Sequence, residues 1–237
     1  LKRLEKAKNM NVVETQDLEK VFKDANLEVR AVDKVSLKIS EGEFTAIVGP
    51  SGSGKTTLLN MIGGLDVPSA GLVQVSGEEL TKYSKNELID FRLKNIGFVF
   101  QSYNLIPVLT AFENIEFVML LQGRSSKERK DRVNELLNAV GLEGRGGNRP
   151  SELSGGQQQR VAVARALASK PKFIIADEPT ANLDSKSAAT LLDIMQLLNK
   201  KEGITFLFST HDQRVIDRAK RVVTLTDGVI TGDKIID

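Results

Sequence analysis

An α/β fold with a parallel-sheet core is predicted by three features of the chain. Two continuous apolar runs, KFIIADE and ITFLFST, flank a helical pattern, and strand, helix, strand in that order implies parallel pairing. A third apolar run, FTAIV, leads through a glycine-rich turn into another helical pattern. Ahead of it, Val, Leu and Phe recur at near-alternating positions in VVETQDLEKVF and AVDKVSLKIS, the pattern of antiparallel strands.

In chain order, residues 10–48 read as an antiparallel β lobe feeding one buried strand. From Lys55 the pattern TTLLNMIGGL is helical and stops at Gly63 and Gly64, because glycine is a poor helix interior and a good C-terminal stop. LVQVSG and IGFVF read as strands, with a short helix near Lys85 to Lys94 between them. Over residues 104–169 the strand signals give way to helical ones. SSKERKDRVNELLNAVG sets Ser125 and Glu128 at capping-box spacing and puts Val133, Leu136, Leu137 and Val140 on one face before Gly141. GLEGRGGNRP is a linker, since no strand precedes its glycines as a phosphate-binding loop requires. A last helix is expected from about Ser187 to Lys201. Residues 10–237 are expected to form one unit with a helical lobe at roughly 98–165.

With 237 residues and 41% hydrophobic content, the chain is long enough for a sizeable core. A formal charge of +2 argues against a nucleic-acid partner. The absence of cysteine removes disulfides and thiolate metal sites and suits a reducing compartment. No stretch approaches the roughly 18 consecutive apolar residues of a membrane span, and LKRLEKAKN has no apolar segment behind its charges. A soluble, cytoplasmic chain is expected. Met10 is a candidate natural start, with residues 1–9 either a native helical extension or a cloning remnant.

The chemistry concentrates in three places. GPSGSGKT, which is Gly49, Pro50, Ser51, Gly52, Ser53, Gly54, Lys55 and Thr56, followed by Thr57, matches G-x-x-x-x-G-K-[ST] between a strand and a helix. Its glycines let backbone N–H groups turn inward on a polyphosphate, Lys55 reaches the β and γ phosphates, and the Thr56 hydroxyl suits Mg²⁺. Asp177 stands where a buried strand reaches the ligand-binding edge of the sheet, a suitable place for a second Mg²⁺ ligand. Adjacent Glu178, pointing another way, is the candidate to orient an attacking water. Finally, Ser154 and Gln157 in LSGGQ have capping-box spacing ahead of VAVARALAS. That makes SGGQ a glycine-built helix start, either a second anion site that something approaches closely or a plain capped end.

LSGGQ between a phosphate loop and a hydrophobic-Asp-Glu strand, with Gln101 after IGFVF, NLD at Asn182 to Asp184 and His211 after a strand, resembles the nucleotide-binding subunit of an ABC transporter. The resemblance covers about Val12 to Gly228. It implies a P-loop NTPase that hydrolyses ATP with Mg²⁺ as a head-to-tail homodimer, each nucleotide held between the phosphate loop of one copy and Ser154, Gly155, Gly156 and Gln157 of the other. By the same resemblance Gln101 touches Mg²⁺ and the attacking water, Asp184 ties the two sites together, and His211 contacts the γ-phosphate. Read without the family pattern, His211 is better taken as a structural histidine. Phe22 falls where the family has an adenine-stacking aromatic; stacking and a place in the strand core are both open. Ala181 departs from a glycine common in that loop.

PSELSGGQQQRVAVARAL, FVFQSYNLIPVLTAFENI and IIADEPTANLDS are similar to the subfamily of lipoprotein-releasing, macrolide and antimicrobial-peptide exporters, to which a cell-division relative also belongs. This implies separate permease subunits that hold the chain on the inner face of the cell membrane. The docking surface is expected around Gln101 to Glu116, a segment that also reads as helical-lobe core. Two rivals are a mechanical regulator acting through a membrane protein and a DNA-repair ATPase. The near-neutral charge and the short interval between phosphate loop and LSGGQ argue against the second.

Overall fold

The computed structural model describes residues 11–24 and 27–236. Residues 1–9 and Met10 lie outside them. Strands β1 (Asn11–Asp24) and β2 (Leu27–Ser40) form a long antiparallel ribbon whose register shifts several times. β3 (Phe44–Val48) leads into helix α1 (Lys55–Ile62). β4 (Ala70–Val75) and β5 (Glu78–Glu79) return to the ribbon, and α2 (Lys85–Asn95) precedes β6 (Ile96–Val99). Three helices follow, α3 (Ala111–Leu121), α4 (Ser126–Ala139) and α5 (Gly155–Ala168). The chain then alternates through β7 (Phe173–Asp177), α6 (Ser185–Glu202), β8 (Thr205–Thr210) and the short α7 (Gln213–Ile216), ending in β9 (Arg221–Thr226) and β10 (Val229–Ile235).

These strands make two sheets, an antiparallel one in the order β2-β1-β4-β5 and a second in the order β10-β9-β3-β8-β7-β6. In the second sheet every pairing is parallel except β9 with β10. Successive strand residues face opposite ways, so a strand covered on both sides must be apolar at every position. In β7, Ile174 and Ala176 join the core beneath α3–α6, whereas Phe173 and Ile175 join the core shared with α1 and the antiparallel sheet. β8 divides likewise, Phe206 and Phe208 on the first side and Leu207 on the second. Phe44 seals the first core with ring centroids 5.5 Å from Phe206 and 4.6 Å from Phe208. The continuous apolar runs are therefore two half-cores written on one strand.

Where helices begin, the sequence supplies the caps. Ser84, Thr110, Ser125 and Ser154 each accept from the backbone N–H three residues on, and the Glu or Gln there reaches back to the cap. Between α5 and β6 the approach is close enough to demand a glycine: a Cβ on Gly97 would stand 2.7 Å from the Ala166 carbonyl oxygen and 3.0 Å from Ile174 Cγ1. Gly97→Ala should cost about 1–3 kcal/mol of stability, the usual range for overpacking. Calorimetry should show a Tm lower by several degrees, and an unchanged Tm would contradict the close approach of α5 to β6.

Candidate functional site

β3 ends against a turn that has no room for side chains. Gly49 and Gly54 have φ of 156° and 98°, and a Cβ on either would stand 2.0 Å from the Leu225 carbonyl oxygen or 2.1 Å from that of Ala31. Both positions thus require glycine for space, and Gly54 also for its backbone. The helix that starts at Lys55 has no side-chain cap and no acidic residue in its first turn. Its first N–H groups, which have no intrahelical acceptor, remain directed at whatever enters the loop. The Lys55 ammonium folds back onto the carbonyls of Gly49 and Pro50, at 2.9 Å each. Ser53 Oγ is buried without a partner. An uncapped helix end, a cationic amine held only by neutral carbonyls and an orphaned hydroxyl fit an anionic polyphosphate group.

Beside this cradle, Thr56 Oγ1 lies 3.1 and 3.2 Å from the two carboxylate oxygens of Asp177, to which it donates. The Ser209 hydroxyl also donates to Asp177, because the parallel register sets Ser209 opposite Asp177. Hydroxyl and carboxylate oxygens form a hard donor set suited to Mg²⁺. Glu178 follows in the left-handed region, φ 47°, with its N–H bonded to the Ser209 carbonyl at 3.0 Å. For a residue with a Cβ this backbone costs about 1–2 kcal/mol. It turns the carboxylate off the strand line, where Oε1 accepts from His211 Nδ1 at 2.7 Å. The Glu178 side chain is 16% exposed and that of His211 73%.

The structure brings Ser51, Gly52, Ser53, Gly54, Lys55, Thr56, Thr57, Gln101, Glu178 and His211 around one cleft of about 520 Å³, which Ala31 and Ala181 also line. Gly49, Pro50 and Asp177 adjoin it through their bonds to Lys55 and Thr56. The Gln101 carbonyl is held by Asn182 Nδ2 at 3.1 Å. Six expected residues stand outside this cleft. Ser154, Gly155, Gly156 and Gln157 form a capping box at the start of α5, outside the cleft lining. The close approach their glycines suggested comes, within the chain, from Tyr103 and Ser187: a Cβ on Gly155 would stand 2.7 Å from the Tyr103 hydroxyl, and one on Gly156 2.7 Å from Ser187 Oγ. Asp184 caps α6, accepting from the N–H groups of Lys186 and Ser187 at 3.0 and 2.9 Å. The Ser187 side chain first, and then these N–H groups, hold its carboxyl below the usual range.

Phe22 is 47% exposed, so it is no core residue, and the Lys20 ammonium sits 5.1 Å from its ring centroid. It does not line the cleft. In the Gln101 to Glu116 segment both expectations find residues: Val108 is exposed, while Leu105 packs on the core and Asn114 is buried with its amide bonded to the Ile106, Leu109 and Thr110 carbonyls.

Sequence reasoning missed Ser209, Thr180, Asp212 and Gln159. Asp212 accepts from Thr180 Oγ1 at 2.6 Å and from the guanidinium fork of Arg214 at 2.7 to 3.0 Å, tying the turn after Glu178 to the turn after His211. Gln159, fully buried, donates to the carbonyls of Phe100 and Pro179 at 3.2 and 2.8 Å. S-T-H-D and Q-Q-Q-R offered polar residues at these places, but only the register shows what they meet.

The match to the protein-family model described as "ABC transporter" spans residues 32–181. This chain belongs to that family and is the ATP-hydrolysing subunit of a transporter. It is 46% identical over 224 residues to the lipoprotein-releasing system ATP-binding protein LolD 1 of Caulobacter vibrioides, covering 94% of this chain and 96% of that one. It is 43% identical to the macrolide export ATP-binding/permease protein MacB of Mannheimia succiniciproducens, matching 94% of this chain but spanning only 35% of that longer protein. A dimeric post-hydrolysis structure of the ATP-binding cassette MJ0796 with ADP and Pi superposes with a TM-score of 0.88 at 41% identity, covering 95% of this chain and 99% of that one. Among the described residues no helix is long and apolar enough to cross a membrane.

Arg214 holds the Asp212 carboxyl at about 2, below its ordinary 3.8. A depressed carboxylate contributes stability above the unfolded pKa and loses it as pH falls through the folded one, here between about pH 4 and pH 2, for about 1–2 kcal/mol in all once solvent screening of this partly exposed pair is allowed for. Asp212→Asn should therefore be destabilised at pH 7 by about 1–2 kcal/mol in urea titrations. The gap from the parent should close towards pH 2; a gap independent of pH would remove the ion pair as its source.

Proposed function

We propose that this chain powers a membrane exporter of the lipoprotein-release, macrolide or peptide type, closing and opening as a head-to-tail homodimer around two ATP molecules. The observation that carries this reading is the split in its anion-binding parts. Phosphate loop, Thr56–Asp177 pair and Glu178 share one cleft, while the SGGQ turn stands outside it with its Ser154 exposed. A nucleotide in the cleft meets the second helix start only if another copy supplies it. The dimeric MJ0796 cassette supports that arrangement, and similarity to proteins named for lipoprotein release and macrolide export supports the export type.

In this reading ATP lays its phosphates along the uncapped N–H groups of α1, and Lys55 exchanges two neutral carbonyls for phosphate oxygens. Thr56, Asp177 and Gln101 would hold Mg²⁺, which neutralises phosphate charge when bound. Glu178 takes a proton from water as its oxygen attacks the γ-phosphorus, the bond to the bridging oxygen breaks, and ADP leaves with that electron pair. His211, whose ring N–H now goes to Glu178, would donate to the γ-phosphate, and the partner's SGGQ would spread its charge. Phe22 offers a half-exposed ring for adenine, and Asp184 would tie the two sites together.

An apolar groove of about 450 Å³ lined by Ile89, Phe98, Phe100, Phe117 and Leu121 fits a permease contact that would keep the chain at the inner membrane face. The formal charge of +2 leaves nucleic acid without an electrostatic claim on it.

Glu178→Gln should bind ATP as the parent does and lose turnover by about 10²–10⁴; near-normal phosphate release from that variant would take Glu178 out of its role. Ser154→Arg should keep ATP affinity in the isolated copy and abolish ATP-driven dimerisation. Sedimentation showing a full-affinity dimer would sink the two-copy site.

A further inference from the structure

Gly155 is held against a group that the chemistry above leaves unused. Tyr103, two residues after Gln101, brings its hydroxyl within 3.4 Å of the Asn182 carbonyl oxygen, to which it donates, and to 2.7 Å from where a Gly155 Cβ would stand. Asn182 in turn donates to the Gln101 carbonyl at 3.1 Å, so three segments meet at one phenol: the Gln101 loop, the Asn182–Asp184 loop and the SGGQ turn. We propose that Tyr103 is a positioning residue that sets the SGGQ turn against the other two loops, and that Gly155 is a glycine in order to admit the Tyr103 hydroxyl. The proposal rests on the reading that SGGQ acts on a nucleotide held by a second copy.

The backbone is fixed on both sides of the contact. Tyr103 and Asn104 both adopt left-handed backbone, φ 56° and 51°, and the Arg165 guanidinium accepts no slack between them, donating to both carbonyls, at 2.9 Å to that of Tyr103. On the other side α5 is anchored by Gln159, whose buried amide is fixed to the Phe100 and Pro179 carbonyls. A methyl on Gly155 therefore drives against the phenol oxygen and breaks the junction, pushing either the phenol off the Asn182 carbonyl or the turn out of place. The ring itself leaves room, since Tyr103 Cζ would lie 3.6 Å from that methyl, an ordinary van der Waals contact. Alanine is otherwise a better helix residue than glycine at the start of α5. Removing the hydroxyl should thus remove the requirement for glycine.

The test is a double-mutant cycle on the full chain carrying Glu178→Gln, reading ATP-driven dimerisation by sedimentation and ATP affinity of the monomer by fluorescent-nucleotide titration. Gly155→Ala should weaken dimerisation roughly tenfold or more, the scale of one overpacked contact, with monomer ATP affinity unchanged. Tyr103→Phe alone should weaken it by about threefold to tenfold through the lost bond to Asn182. Tyr103→Phe with Gly155→Ala should recover to within about threefold of Tyr103→Phe, a rescue that independent effects would not produce. A double variant weakened by the product of the two single losses would overturn the proposal, assigning the glycine to the partner's nucleotide and leaving the two-copy site standing. Failure of the parent itself to dimerise with ATP would overturn the two-copy site and the role of Tyr103 together.

Discussion

An open helix start is the constraint on which the rest of this structure depends. Backbone N–H groups at Lys55 attract phosphate only while nothing in the protein caps them, so the surrounding chain must hold a loop in place without supplying the bonds that would ordinarily fix it. Contact at two points solves the problem. Gly49 packs against the Leu225 carbonyl of β9 and Gly54 against the Ala31 carbonyl of β2, one strand from each sheet. The Gly228 N–H adds a bond to the Ser53 carbonyl at 3.0 Å. The antiparallel sheet and the terminal hairpin are thus supports for the loop from two sides. Their packing energy stands in for the missing cap.

The parallel sheet then determines which side chains can join the loop. β3, β7 and β8 are neighbours and end at the same edge, so Lys55, Asp177, Glu178, Ser209 and His211 converge although they are spread over 157 residues. Strand periodicity alone would send Asp177 and Glu178 to opposite faces. The left-handed turn at Glu178 breaks that alternation and keeps both carboxylates at one cleft, with one bonded to Thr56 and the other to His211. Backbone strain here separates two adjacent carboxylates, one bonded to Thr56 and Ser209 and the other to His211, as the proposed metal-side and water-side roles require.

Legibility in the sequence followed the range of the forces involved. The phosphate loop, the capping boxes at Ser125/Glu128 and Ser154/Gln157 and the two-sided strands depend on neighbours within a few residues, and spacing exposes them. Ser84/Glu87 and Thr110/Glu113 show the same spacing and cap two further helices. By contrast, Ser209 reaches Asp177 only through parallel register, and Asp212 finds Thr180 across 32 residues. No pattern along one strand encodes what the next strand presents. Phe22 fell between the cases: its alternating strand was readable, but which face of the ribbon is left uncovered depends on the second sheet.

Glycine shows the limit most sharply, because one composition answers two physical demands. At Gly49 and Gly54 the residue is small because backbone carbonyls of other strands crowd it, and the N–H groups it frees face outward to a ligand. At Gly155 and Gly156 it is small because side chains of the same copy, Tyr103 and Ser187, occupy the space. The second pair begins a helix that Ser154 caps at the surface, so close internal packing and the proposed external anion are compatible claims on the same two residues. The packing gives the turn a fixed position relative to the Gln101 and Asn182–Asp184 loops before any second copy arrives. A preorganised turn loses less freedom on meeting a ligand than a mobile one would, and so more of the contact energy would remain to close the proposed dimer.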